Sequence, residues 1–198
     1  MDKGITGIIL AGGKSSRMGK DKGFCTIDEK PLIRYAIETL SEVCDSIIIG
    51  TNNAAYDQFG FPVVPDKISG KGPVAGIFSC LNESKTADNF ILSCDMPLMT
   101  ADFVKFVISK KADYEVVIPV FNGMAEPLCA YYHKNITSAL KAQIKADVYK
   151  IQEAVKPLNT LFLEIEDSNV FNDSKLFMNI NSEVDLGIAK RLLESQND

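Results

Sequence analysis

Leu10-Ala11-Gly12-Gly13-Lys14-Ser15-Ser16-Arg17-Met18-Gly19-Lys20-Asp21-Lys22 continues an apolar run, Ile5 to Ala11, and the reading of this junction decides the fold. An isoleucine-rich segment that stops at two glycines reads as a buried strand entering a loop. Glycines there allow close approach of the backbone to a ligand. Successive exposed N–H groups can then form a nest for an anion. Lys14, Arg17, Lys20 and Lys22 crowd cations into this loop against the single Asp21. On a chain of formal net charge −5 that local excess calls for an anionic partner, and a triphosphate supplies one. Spacing excludes two other phosphate loops. A Walker A loop needs GxxxxGK followed by Ser or Thr, whereas Gly13 and Gly19 enclose a longer gap and Asp21 follows Lys20. The dinucleotide fingerprint GxGxxG is absent.

Outward from this loop, apolar runs alternate with segments of helical period. Pro31 opens a helix whose Leu32, Ile33, Ala36, Ile37 and Leu40 share one face. Ser46 to Gly50 reads as a second strand, and Pro62-Val63-Val64-Pro65 as a third kept short by its prolines. Gly72-Pro73 begins a helix reaching Leu81, and Phe90 to Cys94 is a strand ending at Asp95. A helix over 101–110 turns Phe103, Val104, Val107 and Ile108 inward, with Thr100 as its N-cap. Glu115 to Val120 and Leu128 to Tyr132 read as strands, antiparallel across the Phe121-Asn122-Gly123 turn. Helices near 134–146 and 149–155, a strand at Leu161 to Ile165 and a helix over 183–194 complete the chain. That last helix is expected to bury Val184, Ile188, Ala189, Leu192 and Leu193. Such alternation predicts an α/β fold, a three-layer, doubly wound, mainly parallel sheet of Rossmann-like kind, in one domain over 1–198. Ligands of such sheets bind at the carboxyl ends of the strands.

Composition bounds the function. With 46% hydrophobic and 24% charged residues the chain can bury a core. Its acidity argues against tracking a nucleic-acid backbone. No apolar stretch approaches the roughly 20 residues of a membrane span, and Met1 to Leu10 lacks the pattern of a signal peptide. Five scattered cysteines without a CxxC pair read as reduced thiols, which places the protein in the cytoplasm. The lone His133 offers neither a histidine metal cluster nor a hydrolytic triad.

The strand ending in Ser93-Cys94-Asp95-Met96-Pro97 sets a carboxylate at the carboxyl edge, where Asp95 can hold Mg²⁺ beside substrate phosphates. Asp66-Lys67-Ile68-Ser69-Gly70-Lys71-Gly72-Pro73-Val74-Ala75-Gly76-Ile77 leads a turn into a helix whose N-terminus can accept an anion.

With these motifs the chain resembles the molybdenum cofactor guanylyltransferase (MobA) family along nearly its whole length. LAGGxSxRMGxxK is matched from Leu10 through Lys22, and the family's CDxP by Cys94-Asp95-Met96-Pro97. DxxxxxGPLAGI is matched from Asp66 to Ile77, with Val74 for leucine. Glu126-Pro127-Leu128-Cys129-Ala130-Tyr131-Tyr132 is similar to EPLxAxY. Phe177 to Leu186 is similar to FxNxNTPxDL, with Ser182-Glu183 in place of Thr-Pro.

The resemblance implies a nucleotidyltransferase that uses Mg²⁺ on Asp95 to move GMP from GTP onto molybdopterin. It implies that Leu10, Gly12 and Gly13 line the nucleotide, that Arg17 and Lys22 neutralise its phosphates, and that Asn52 and Asp66 shape its site. Asn179 and Asn181 fall on the acceptor side. Apo-molybdoenzymes or other cofactor-biosynthesis proteins are the implied protein partners, with no nucleic acid and no membrane. Transfer of CMP to the same cofactor, transfer to a sugar phosphate, and a non-catalytic nucleotide carrier remain alternatives at this point.

Overall fold

The computed structural model describes residues 2–12, 21–68, 70–166 and 169–195. Its strands and helices run β1 (Asp2–Leu10), β2 (Thr26–Ile27), β3 (Lys30–Pro31), α1 (Leu32–Ser41), β4 (Ser46–Gly50), β5 (Val63–Val64), α2 (Gly72–Glu83), β6 (Thr86–Ser93), α3 (Ala101–Ser109), β7 (Val116–Phe121), β8 (Met124–Ala125), β9 (Cys129–His133), α4 (Thr137–Lys145), α5 (Ile151–Ala154), β10 (Thr160–Glu164) and α6 (Glu183–Glu194).

The main sheet has the order β10-β7-β9-β6-β1-β4-β5, with β8 on β7. β6, β1, β4 and β5 are mutually parallel, and β10 is parallel to β7. β9 lies antiparallel between β6 and β7. Side chains divide by the two-residue period of a strand. Ile9, Ile47, Ile49, Phe90, Leu92, Val117 and Tyr131 pack with the inward faces of α1 and α3. Their neighbours Ile8, Ile48, Ile91, Val116, Ile118 and Tyr132 pack with α2, α4 and α5. The three layers and the mainly parallel sheet are therefore as the alternation predicts. Near-continuous apolar strands are the consequence of burial on both faces.

Local periodicity is realised closely in α1, where the five expected inward residues are all buried and Pro31 stands as N-cap. The Thr100 hydroxyl caps α3, accepting the Phe103 N–H at 3.3 Å.

Three expectations change. The 121–123 turn does not join β7 to its large antiparallel partner. Asn122 and Gly123, with φ of 49° and 73°, close a hairpin onto the two-residue β8. β9 then returns along the far half of β7, and its longest pairing is with β6. Secondly, β6 begins at Thr86, before the apolar run. Its polar start is buried because Thr86 Oγ1 lies 2.8 Å from Thr6 Oγ1, which in turn lies 3.0 Å from Ser46 Oγ. Thirdly, Val184 of α6 is 71% exposed. The helix rests on a small satellite core through Leu186, Ala189 and Leu193, which share a face at i, i+3 and i+7 and meet Leu32 and Ile180.

Among the described residues no helix is long and apolar enough to cross a membrane, and no disulfide joins the five cysteines.

Candidate active site

The central strands end in one row. Leu10 is in register with Gly50 on one side and with Ser93 on the other. Backbone bonds extend the row past the strands, from Ala11 N–H to the Gly50 carbonyl at 3.0 Å and from Cys94 N–H to the Leu10 carbonyl at 3.1 Å. Gly12, Asn52 and Asp95 thus leave the sheet at one level, from three neighbouring strands. β9 runs the other way, so its beginning reaches this edge: Ser93 N–H donates to the Leu128 carbonyl at 2.8 Å.

A cavity of about 390 Å³ opens here, lined among others by Leu10, Gly12, Asn52, Asp66, Gly76 and Ser93. That volume suits a small molecule of nucleotide size. Asn52 and Asp66 face each other within it. The Asp66 N–H donates to Asn52 Oδ1 at 2.8 Å, and Asn52 Nδ2 donates to Asp66 Oδ2 at 3.3 Å. Burial raises the Asp66 carboxyl above its ordinary value, partly offset by the Asn52 hydrogen bond. The cavity floor needs small residues. A Cβ at Gly50 would lie 2.6 Å from Cys80 Sγ and 2.8 Å from Leu10 Cδ2. One at Gly76 would come within 3.4 Å of Asp66 Oδ1.

Beside the cavity, Lys22 reaches across the row. Its ammonium donates to Asp95 Oδ2 at 2.8 Å and to Asn181 Oδ1 at 2.7 Å. The other Asp95 oxygen accepts the Ser93 hydroxyl at 2.5 Å. The C-terminal segment is drawn in by the main chain, since Ile180 N–H donates to the Asp95 carbonyl at 2.9 Å. Asn181 Nδ2 in turn meets the Asn179 carbonyl at 3.4 Å. Ser182 caps α6 by accepting the Asp185 N–H at 3.2 Å, and Asp185 accepts the Asn181 N–H at 2.9 Å. The cap holds the chain direction at Asn181, so Ser-Glu in place of Thr-Pro leaves the amide in reach of Lys22.

Of the site residues expected from sequence, Leu10, Gly12, Asn52 and Asp66 share the cavity, and Lys22, Asp95 and Asn181 gather at its side, whereas the Asn179 amide turns back to the Phe177 carbonyl at 3.3 Å and its main-chain carbonyl meets Asn181. Gly13 and Arg17 lie outside the described residues. Sequence reasoning misses Ser93, although its place two residues before a carboxylate on a strand end is a usable signal. It also misses Glu126. Burial and then the nearby Asp95 charge raise its carboxyl. Its nearness to Asp95 depends on the antiparallel course of β9, which a linear reading misses.

Beside a cavity lined by Gly12, Asn52 and Asp66, the Lys22 ammonium can neutralise an anion and the Asp95 carboxylate can face a cation. Among the described residues nothing resembles a hydrolytic nucleophile with its histidine base: His133 lies at the opposite end of β9, and the Cys94 and Cys129 thiols are buried and pushed well above their ordinary range by that burial.

A family model described as a MobA-like NTP transferase domain matches residues 7–159. A protein of Flavobacterium johnsoniae named probable molybdenum cofactor guanylyltransferase is 36% identical, over 90% of this chain and 92% of its own. One of the same name from Natranaerobius thermophilus is 34% identical over 98% of each. Among solved structures, molybdopterin-guanine dinucleotide biosynthesis protein A of Archaeoglobus fulgidus superposes with a TM-score of 0.81 at 24% identity, over 96% of this chain and 99% of that one. A CMP:2-keto-3-deoxy-manno-octonic acid synthetase shares the fold at a TM-score of 0.76 and 13% identity, over 97% and 99%.

Proposed function

The chain belongs to the MobA-like NTP transferase family, and we propose that it transfers GMP from GTP to the terminal phosphate of molybdopterin or the molybdenum cofactor, releasing pyrophosphate. The reading takes residues 1–198 as one nucleotidyltransferase domain. It is supported by the names of relatives that match over nearly their full length. The observation that carries it is the meeting of Lys22, Asp95 and Asn181 beside a cavity lined by Gly12, Asn52 and Asp66.

An oxygen of the acceptor phosphate attacks the α-phosphorus, a new P–O bond forms, and the bond to the bridging oxygen of pyrophosphate breaks. The acceptor is already ionised at neutral pH, so no general base is required. Among the described residues no histidine lies at this edge, and the nearby Asp66 and Glu126 carboxylates need carry no proton in such a transfer. Catalysis is then positioning and charge neutralisation. Lys22 neutralises the transferring phosphates. Arg17 and the Gly12–Gly13 backbone join it by analogy with the family motif. Asn52 and Asp66 hold the nucleotide in the cavity, and Asn179 and Asn181 meet the acceptor.

A divalent cation fits Asp95. Its carboxylate already faces one cation, the Lys22 ammonium, and Ser93 anchors its second oxygen. Among the described residues no cluster of three or more His, Cys, Asp or Glu could cage a metal. One carboxylate, with substrate oxygens and water, is the donor set that Mg²⁺ accepts. When bound, Mg²⁺ would supply charge stabilisation on the phosphate oxygens. Delivery of the product to apo-molybdoenzymes or other cofactor-biosynthesis proteins belongs to the same reading.

The test is pyrophosphate release by the purified chain with Mg²⁺, metal-loaded molybdopterin and each of GTP, CTP, ATP and UTP. Release with GTP alone, lost in Asp95→Ala, supports the reading. Preference for CTP would replace the donor, and no release with any nucleotide would overturn the transfer reaction.

A further inference from the structure

Lys22 has a long, flexible side chain, and a cation of this kind gains most when its base is fixed in advance. That base is held from behind. Asp21 caps the 3₁₀ turn Lys22–Phe24, its Oδ1 accepting the Gly23 N–H at 3.3 Å. The same oxygen accepts the Tyr56 hydroxyl, and Oδ2 accepts Asn53 Nδ2 at 3.0 Å. The carboxylate is thus gripped by three neutral donors. Tyr56 is fully buried, with ring centroids 4.5 Å from Phe24 and 5.9 Å from Phe59. The approach depends on Gly23, where a Cβ would fall 2.2 Å from the Tyr56 hydroxyl oxygen.

Asn53 is itself fixed. Its Oδ1 accepts the Ala55 N–H at 3.0 Å, and its own N–H donates to Thr51 Oγ1 at 3.2 Å. The preceding residue is Asn52, which grips Asp66. One loop after β4 therefore touches Asp66 in the cavity and, through its next residue, the anchor of Lys22.

We propose that Asp21, gripped by Tyr56 and Asn53, is a positioning residue that sets Lys22 toward Asp95 and Asn181. Its catalytic consequence rests on the function proposed above. Its structural content does not.

Two readouts separate these. In the first, the purified chain is acetylated with limiting acetic anhydride, and the rate at each lysine is read by mass spectrometry. In Asp21→Ala the Lys22 rate should rise about threefold or more, the scale of losing one net hydrogen bond. Lys105 and Lys156, in their own surface ion pairs, should keep parent rates. Asp21→Asn retains Oδ1 for Gly23 and Tyr56 and should fall between. Tyr56→Phe, which removes one hydroxyl and keeps the aromatic packing, gives the same direction should Asp21→Ala not fold. An unchanged Lys22 rate, or an equal rise at all lysines, overturns the proposal.

The second readout is a double-mutant cycle on pyrophosphate release with GTP. Asp21→Ala should lower kcat about tenfold in the parent, the order expected for a small misplacement, with the KM for GTP within about twofold. In Lys22→Ala it should cost nothing more. Equal losses in both backgrounds would overturn action through Lys22. A parent chain with no pyrophosphate release would sink the functional reading instead, and the acetylation rates would still decide the positioning role.

Discussion

The Lys22 ammonium lies 2.8 Å from Asp95 Oδ2, joining residues 73 positions apart. Both side chains are mostly shielded, at 23% and 13% exposure, so solvent screens this pair less than an ion pair on open surface. In the proposed transfer the ammonium would meet phosphate oxygens and the carboxylate a divalent cation.

Lys22→Ala is therefore expected to lower turnover by about 10²–10³, comparable to losing one preorganised donor at a site of developing charge. Steady-state pyrophosphate release with GTP and the pterin acceptor measures it. Near-parent turnover would remove Lys22 from the reaction.

Asn52 lines the cavity, whereas Asn181 meets the Lys22 ammonium beside it, which predicts a split between substrates. Asn52→Ala should raise the KM for GTP about tenfold, on the scale of one hydrogen bond to a charged or strongly polar group, with little change for the acceptor. Asn181→Ala should do the reverse. Equal effects on both substrates in either variant would contradict the assignment of the two sides.

The raised Asp66 carboxyl carries a pH dependence whose sign is fixed by linkage. The fold favours the protonated form, so the cost of the charged form is absent below the ordinary carboxylate value and appears as pH rises through the raised one. Asp66→Asn should accordingly raise the melting temperature at pH 7 by about 1–2 °C after allowance for partial exposure. The gain should vanish in acid while the KM for GTP worsens. A variant less stable than the parent at pH 7 would refute the burial argument.

Gly50 lets the cavity floor close over Cys80 and Leu10, and an added methyl would overlap both. Gly50→Ala should cost about 1–3 kcal/mol, the usual range for overpacking. For a chain of this size that is a fall in melting temperature of several degrees, about 2–4 °C for each kcal/mol. Calorimetry showing no loss would mean that the floor is softer than its contacts imply.

Much of the architecture was legible because it rests on short-range pattern. The inward face of α1, Leu32 to Leu40, follows from helical period, and Ser46–Gly50 from an isoleucine run bounded by turn residues. Polar residues hid what long-range bonding rescued. The Thr86 end of β6 reads as a loop until its hydroxyl meets that of Thr6. Val184 reads as an inward residue of α6, yet the satellite core lies under Leu186, Ala189 and Leu193.

The chemical inventory is written in the order of residues: a glycine-rich, basic loop after the first strand, a carboxylate at Asp95, and paired amides near the end of the chain. Which of these touch is set by the folding of the chain. Parallel pairing of β4, β1 and β6 brings Gly12, Asn52 and Asp95 to one edge, and the antiparallel β9 carries Glu126 there from the other direction. Asn181 meets Lys22 because Ile180 bonds to the Asp95 main chain. Such contacts arise from strand order and backbone pairing between segments far apart in the chain, and no local periodicity encodes them.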